Sequence, residues 1–133
     1  MLKLKIISPG KMKEAWLEEA LAEYEKRLRG TVSIEWILKE IPPEVPYICL
    51  DPKGTSMSSP DFSKFIYKEW ERCGSRLTFV IGGPIGLSRQ TLHNASHLIS
   101  LSKLTFTHQQ TRLILLEQIY RATQIEKGTD YHK

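Results

Sequence analysis

The 133-residue chain has no apolar run approaching the ~20 residues that a membrane-spanning helix needs. Its first residues, Met1 to Ser8, alternate apolar residues with lysine and lack the longer apolar core and cleavage site of a secretion signal. A cytoplasmic location without membrane association is therefore the expectation. Cysteine is scarce, with two residues in all. Cys49 lies inside an apolar stretch and Cys73 ends a helical one, as suits reduced thiols. Two cysteines alone do not assemble a typical structural zinc site, so no metal is expected. Repeats, linkers and low-complexity segments are absent. The length suits one domain over residues 1–133, with one core and no room for a separate recognition domain. A composition of 41% hydrophobic and 26% charged residues excludes disorder.

Familiar catalytic signatures are missing as well. Gly82-Gly83-Pro84-Ile85-Gly86 is rich in glycine, but it departs from the G-x-G-x-x-G of dinucleotide sites and lacks the Gly-Lys-Ser/Thr of a phosphate loop. His93 and His97 are spaced as in H-E-x-x-H, yet Asn94 stands where the general-base glutamate must be. Zinc-protease chemistry is thereby excluded, and two surface histidines on one helix are expected. No Gly-x-Ser-x-Gly elbow presents a nucleophilic serine.

What is present is a modest positive charge and a clear periodicity. The formal net charge is +4, and it is dispersed: residues 1–29 hold seven Lys or Arg against five Glu. A solvated surface and a polyanionic partner both fit such an excess. Leu2, Leu4 and Ile6 alternate as in a strand with one buried face. From Met12 to Arg29, Trp16, Leu17, Ala20, Leu21, Tyr24 and Leu28 recur at helical spacing, and Gly30 marks the stop. Val32 to Leu38 alternates again, and Pro42, Pro43 and Pro46 then impose a loop. Tyr47 to Leu50 reads as a short buried strand, followed by the turn chemistry of Asp51-Pro-Lys-Gly-Thr-Ser56. Asp61 to Arg72 is helical, Leu77 to Ile81 a buried strand, and Ser88 caps a helix running to about Leu98. Leu101 to Phe106 is a final strand or an extended loop. Gln109 to Lys127 is a long helix with Leu113, Leu116, Tyr120 and Thr123 or Ile125 as its core stripe, ended by Gly128.

Strands alternating with helices predict an α/β fold, a mostly parallel sheet with helices on both faces. Ligands of such sheets bind beyond the carboxyl ends of strands, which directs attention to the loops after Leu50, after Ile81 and around Leu104. The three glycines of residues 82–86 admit close backbone approach to a ligand, or serve only a tight connection. Around Leu104, Ser100, Ser102, Thr105 and Thr107 interleave with apolar residues, as suits exposed backbone that hydrogen-bonds an adenine or an amphipathic edge strand. Glu117 and Arg121 lie four apart and make at least a surface pair.

Taken in order, Leu50-Asp-Pro-Lys-Gly54, Val80-Ile-Gly-Gly-Pro-Ile-Gly86, Ser100-Leu-Ser-Lys-Leu-Thr-Phe106, His108, Glu117-Gln-Ile-Tyr-Arg-Ala122 and Tyr131-His132 closely resemble the ribosomal large-subunit methyltransferase H family, a minimal SPOUT enzyme. Together with the Gly10-Lys11 turn, the resemblance covers nearly the whole chain. It implies an α/β knot, with the C-terminal part threaded into a trefoil, a feature that periodicity does not predict. It also implies a homodimer that uses S-adenosyl-L-methionine to methylate N3 of a pseudouridine in 23S rRNA on the assembled ribosome. Another RNA such as tRNA, or non-catalytic RNA binding, are the competing functions.

Carried over by position, Leu50, Gly82, Leu101, Ser102, Lys103, Leu104, Thr105 and Phe106 would line the cofactor pocket. Arg121, His108, Tyr131 and His132 would form the site for the target base, Arg121 stabilising the imide anion and His132 or His108 accepting the proton. Lys11, Lys13 and Lys53 are expected around the pocket. One departure stands out: family members usually carry an extra helix between the second and third strands, where this chain has only Lys39 to Pro46.

Overall fold

Lys3 and Lys5 stay in solvent while Leu4 and Ile6 turn inward, and this alternation builds the first strand, β1 (Leu2–Ile7), of the computed structural model, which describes residues 1–133. There follow α1 (Ala15–Leu28), β2 (Val32–Ile37), β3 (Ile48–Ser56), α2 (Ser59–Arg72), β4 (Arg76–Ile81), α3 (Arg89–Asn94), β5 (His97–Ser100) and α4 (His108–Lys127). The strands form one five-stranded sheet in the order β2-β1-β4-β3-β5, and every neighbouring pair is parallel. All carboxyl ends therefore point the same way, and the loops that follow them gather along one edge.

Alternate residues of the strands face opposite sides. Leu4, Ile6, Ile48, Leu50, Phe79 and Ile81 meet Leu17 and Leu21 of α1, Phe62, Ile66 and Trp70 of α2, and Leu115, Leu116 and Ile119 of α4. Each such side chain, fully buried, contributes about 1.5–3 kcal/mol relative to exposure. On the other side Ile7, Tyr47, Cys49 and Val80 pack beneath Leu87, Leu92 and Ala95, around the short α3. Both faces thus carry helices, unequally. The helix ends are chemically marked: Ser58, Ser88 and Thr107 cap α2, α3 and α4 with side-chain oxygens, and Gly128 ends α4 in the left-handed region at φ 72°.

Local reading of the sequence errs at four places. The Asp51–Ser56 turn does form, with Asp51 Oδ2 accepting from the Lys53 amide at 3.0 Å. The chain then rejoins the sheet, so that both Leu50 and Thr55 lie opposite Ile99 and β3 extends to Ser56. The helix capped by Ser88 stops at Asn94 and the last strand is His97–Ser100, while residues 101–106 take the second of their two expected forms, an extended loop. A four-residue strand is too short to show its period. His97 consequently leaves the helix that His93 occupies and pairs with buried Glu69 at 3.1 Å. The buried stripe of α4 is Arg112, Leu115, Leu116, Ile119, Ala122 and Thr123, so Leu116 and Thr123 are buried as expected while Arg112 and Ile119 take the places expected of Leu113 and Tyr120. Trp16 stands 54% exposed because α1 begins only at Ala15 and turns Leu17 and Leu21 inward instead.

Candidate functional site

At the carboxyl edge of the sheet a cleft of about 340 Å³ opens between the ends of β3 and β4, the 82–87 loop, the 101–106 loop and the first turn of α4. That volume falls within the range of small-molecule sites. Leu50, Gly82, Leu101, Ser102, Leu104, Thr105 and Phe106 line it, as does His108. Lys103 does not. Ser100 Oγ donates to the Ser102 carbonyl at 2.8 Å and Ser102 Oγ accepts from the Leu104 amide at 3.0 Å, which makes a tight bend with Lys103 exposed at its apex. Ile81, Gly83, Pro84 and Gly86 of the glycine motif line it too, and the lining residues that sequence reasoning did not single out are Leu87 and Thr111.

The glycines of the 82–86 loop do different things. A Cβ on Gly82 would come within 2.9 Å of the Gly86 carbonyl carbon, so this glycine lets the loop close on itself. A Cβ on Gly83, which borders both the cleft and its surroundings, would meet nothing within 4 Å, so no protein atom fills the space there. Gly54 keeps its place for a third reason: a Cβ there would lie 2.6 Å from the Leu98 and Ile99 backbone, where the 51–56 segment crosses β5.

Beside the cleft lies a broader groove lined by Lys13, Glu14, Trp16, Gly83, Pro84, Phe106, His108 and Gln109, among others. His108 belongs to both cavities and sits at their seam. Burial, followed by the nearby cations Arg112 and Lys13, lowers its pKa below the ordinary imidazole value. Apolar side chains are left in solvent around this mouth: Ile85 is 97% exposed and Leu104 72%. Of the expected rim lysines, Lys13 lines the groove, and Lys53 belongs to the 51–54 turn whose Asp51 and Pro52 line the cleft.

Arg121, Tyr131 and His132 come together elsewhere. Thirteen positions separate His108 from Arg121 along α4, a rise of roughly 20 Å. There Arg121 Nη2 pairs with Glu117 at 2.9 Å, and its guanidinium carbon lies 4.9 Å from the centre of the Tyr131 ring. Tyr131 donates its hydroxyl to Glu117 at 2.9 Å and packs edge-on against Tyr120. Burial first, and then its hydrogen bonds, push the phenol up so that it stays protonated. Arg121 Nη1 lies 3.0 Å from His132 Nδ1; a guanidinium only donates, so that contact is a hydrogen bond when Nδ1 carries the lone pair. The tail is thus docked, not frayed, and the Glu117–Arg121 pair is the centre of a cluster rather than a plain surface pair. None of these three residues lines the cleft of its own chain.

No three His, Cys, Asp or Glu side chains gather where they would hold a metal ion, and no helix is long and apolar enough to cross a membrane. Residues 33–132 match the family described as "Predicted SPOUT methyltransferase". The chain is 55% identical over 141 residues to the ribosomal RNA large subunit methyltransferase H of Protochlamydia amoebophila, covering all of both proteins. It is 38% identical to the protein of that name from Carboxydothermus hydrogenoformans, over 159 aligned positions that cover 99% of this chain and all of that one. In fold it is similar to a probable methylase family protein from Haemophilus influenzae, with a TM-score of 0.63 at 8% identity, over 99% of this chain and 70% of the other.

Proposed function

Since the chain belongs to the ribosomal RNA large subunit methyltransferase H family of SPOUT methyltransferases, we propose that it is an S-adenosylmethionine-dependent enzyme that methylates N3 of a pseudouridine in 23S rRNA on the assembled ribosome, and that it works as a homodimer. The carrying observation is a cleft at the carboxyl ends of β3 and β4 whose glycine loop leaves room where a side chain would fill it. Leu50, the 82–87 loop and residues 101–106 would hold the cofactor, the apolar side chains covering an adenine and the 101–106 backbone meeting its polar edge. When bound, the cofactor supplies a methyl group on an electrophilic sulfonium.

The remaining chemistry falls to the protein. N3 of the target base is a weakly acidic imide that must lose a proton, and a fixed cation stabilises the charge that develops. Arg121 suits that task, because its hydrogen bond to Glu117 raises its pKa further and holds its orientation. His132, beside Arg121 Nη1, would accept the proton once substrate takes its place on that nitrogen, with the Glu117 contacts kept. Tyr131 supplies an aromatic wall.

Reacting atoms must approach within about 3–3.5 Å, and roughly 20 Å of helix lies between His108 and Arg121 of one chain. A second copy resolves this: its Arg121–Tyr131–His132 cluster would close over the cleft and groove of the first, and the exposed Trp16, Ile85 and Leu104 would be covered in the process. The trefoil knot expected of the family belongs to the same proposal, since the chain leaves β4, passes β3 to form β5, and only then enters the 101–107 loop and α4.

Calorimetry with S-adenosylmethionine, followed by methyl-transfer assays on assembled ribosomes, free rRNA and tRNA, tests the proposal. Binding near one cofactor per chain with transfer to ribosomes alone is expected. Transfer to tRNA would reassign the substrate, and absence of cofactor binding would leave only an RNA-binding module.

A further inference from the structure

Arg112 has no exposed surface and no carboxylate partner. Its Nε donates to Ser8 Oγ at 2.7 Å, and its Nη2 meets the carbonyls of Ser8 at 2.8 Å, Pro9 at 3.3 Å and Gly10 at 2.8 Å. Its Nη1 reaches Met12 Sδ at 3.1 Å and Gln109 Oε1 at 3.2 Å. A buried cation is costly to desolvate, and here it is satisfied entirely by neutral oxygens and a sulfur. It pins the turn after β1 to the first turn of α4. Gly10, at φ 110°, suits that turn, since other side chains rarely adopt this backbone conformation, and a Cβ there would lie 3.4 Å from His108 Nε2.

The second arm of this arrangement concerns Gln109. Its Oε1 accepts from Arg112, while its Nε2 donates to the Lys11 carbonyl at 2.9 Å and lies 3.1 Å from His108 Nε2. The amide cannot turn over, because that would set its NH2 against a guanidinium and its oxygen against a carbonyl. An amide nitrogen only donates, so His108 Nε2 must carry the lone pair and the ring proton must sit on Nδ1. Nδ1 has no hydrogen-bond partner within the protein, and the ring borders both cavities.

We propose that Arg112 and Gln109 are positioning residues that fix the tautomer of His108, so that His108 serves the reaction as a hydrogen-bond donor through Nδ1 to an oxygen of the bound ligand and not as its base. This rests on the cleft being the methyl-transfer site. The charged groups facing His108 are Arg112 from α4 and Lys13 from the segment before α1, with Glu14 across the groove. Burial and the two cations keep the ring neutral, as a donor with one committed lone pair requires. The oxygen acceptor is either the cofactor's carboxylate or a carbonyl of the target base.

Nuclear magnetic resonance of the protein with 15N-labelled histidine rings reads the tautomer directly, without cofactor or ribosome. His108 should show a protonated Nδ1 and a bare Nε2. Gln109→Glu keeps the shape and the contact with Arg112, loses the bond to the Lys11 carbonyl and can only accept, so Nε2 should become protonated. Methyl transfer in that variant should fall about tenfold or more, while the ribosome KM changes little, because positioning is lost and not binding. Arg112→Lys, which keeps the charge and loses the fork, should give a mixture of tautomers. A shift of the Nδ1 proton on adding S-adenosylmethionine assigns the bond to the cofactor; a shift only on adding a pseudouridine-containing hairpin assigns it to the base. A wild-type ring protonated on Nε2, or no shift at either addition, overturns the proposal. Should Gln109→Glu fail to fold, the wild-type spectrum still decides the tautomer. A wild-type protein with the Nδ1 proton that leaves ribosomes unmethylated would sink the proposed function and leave the relay standing.

Discussion

Neighbouring glycines make opposite predictions. Gly83 lines the cleft and a Cβ there would meet no protein atom within 4 Å, whereas one at position 82 strikes the Gly86 backbone. Gly83→Val should therefore abolish cofactor binding by calorimetry with an unchanged thermal transition. Gly82→Val should distort the 82–87 loop and lower the transition as well. Cys49 is fully buried, and burial pushes its thiol up to about 11; mass spectrometry after alkylation of the native protein should find it unmodified. His108 supplies a pH signature. Its native pKa is lowered, so the unfolded chain, at about 6.5, takes up the proton first. Stability is complete above about pH 6.5 and is lost as pH falls from there toward the native value. Melting curves between about pH 7.5 and 5 should therefore fall more steeply for the wild type than for His108→Gln.

Helix α4 carries the site's logic, with His108 on its first turn and Arg121 toward its end, where the tail returns to dock. Deleting Asp130 to Lys133 removes the Tyr131 contacts with Tyr120 and Glu117, at a cost of about 1 kcal/mol. It should leave cofactor affinity intact and abolish methyl transfer, as should Arg121→Ala; a truncated enzyme at full rate would return the tail to a structural role. The strands and long helices were legible in the sequence because alternation and helical spacing act over many residues. Segments governed by a distant partner were not. Gly54 and Thr55 look like turn residues until β5 lies beside them. His97 and Leu98 continue an apparent helix until the Ser96 amide bonds the Tyr47 carbonyl at 2.9 Å. Most of the cleft was readable from the ordered motifs. Arg112 was not, although its position one turn before Leu115 and Leu116, and two before Ile119, puts an arginine on the buried stripe, and that is a signal worth searching for.

At the level of the whole molecule, one chain holds a cleft at one end of α4 and a cationic, aromatic cluster toward the other, and the proposed chemistry needs them together. The free protein should scatter light as about twice 15.3 kDa at micromolar concentration. The most direct test mixes two inactive variants, Gly83→Val and Arg121→Ala, after unfolding and refolding them together. In a site shared between chains, each mixed dimer pairs an intact cleft from one chain with an intact cluster from the other. Random pairing should then restore methyl transfer to ribosomes at about a quarter of the wild-type rate. If cleft and cluster act within one chain, every site in the mixture keeps a defect, and a mixture as inactive as its components would contradict the shared site.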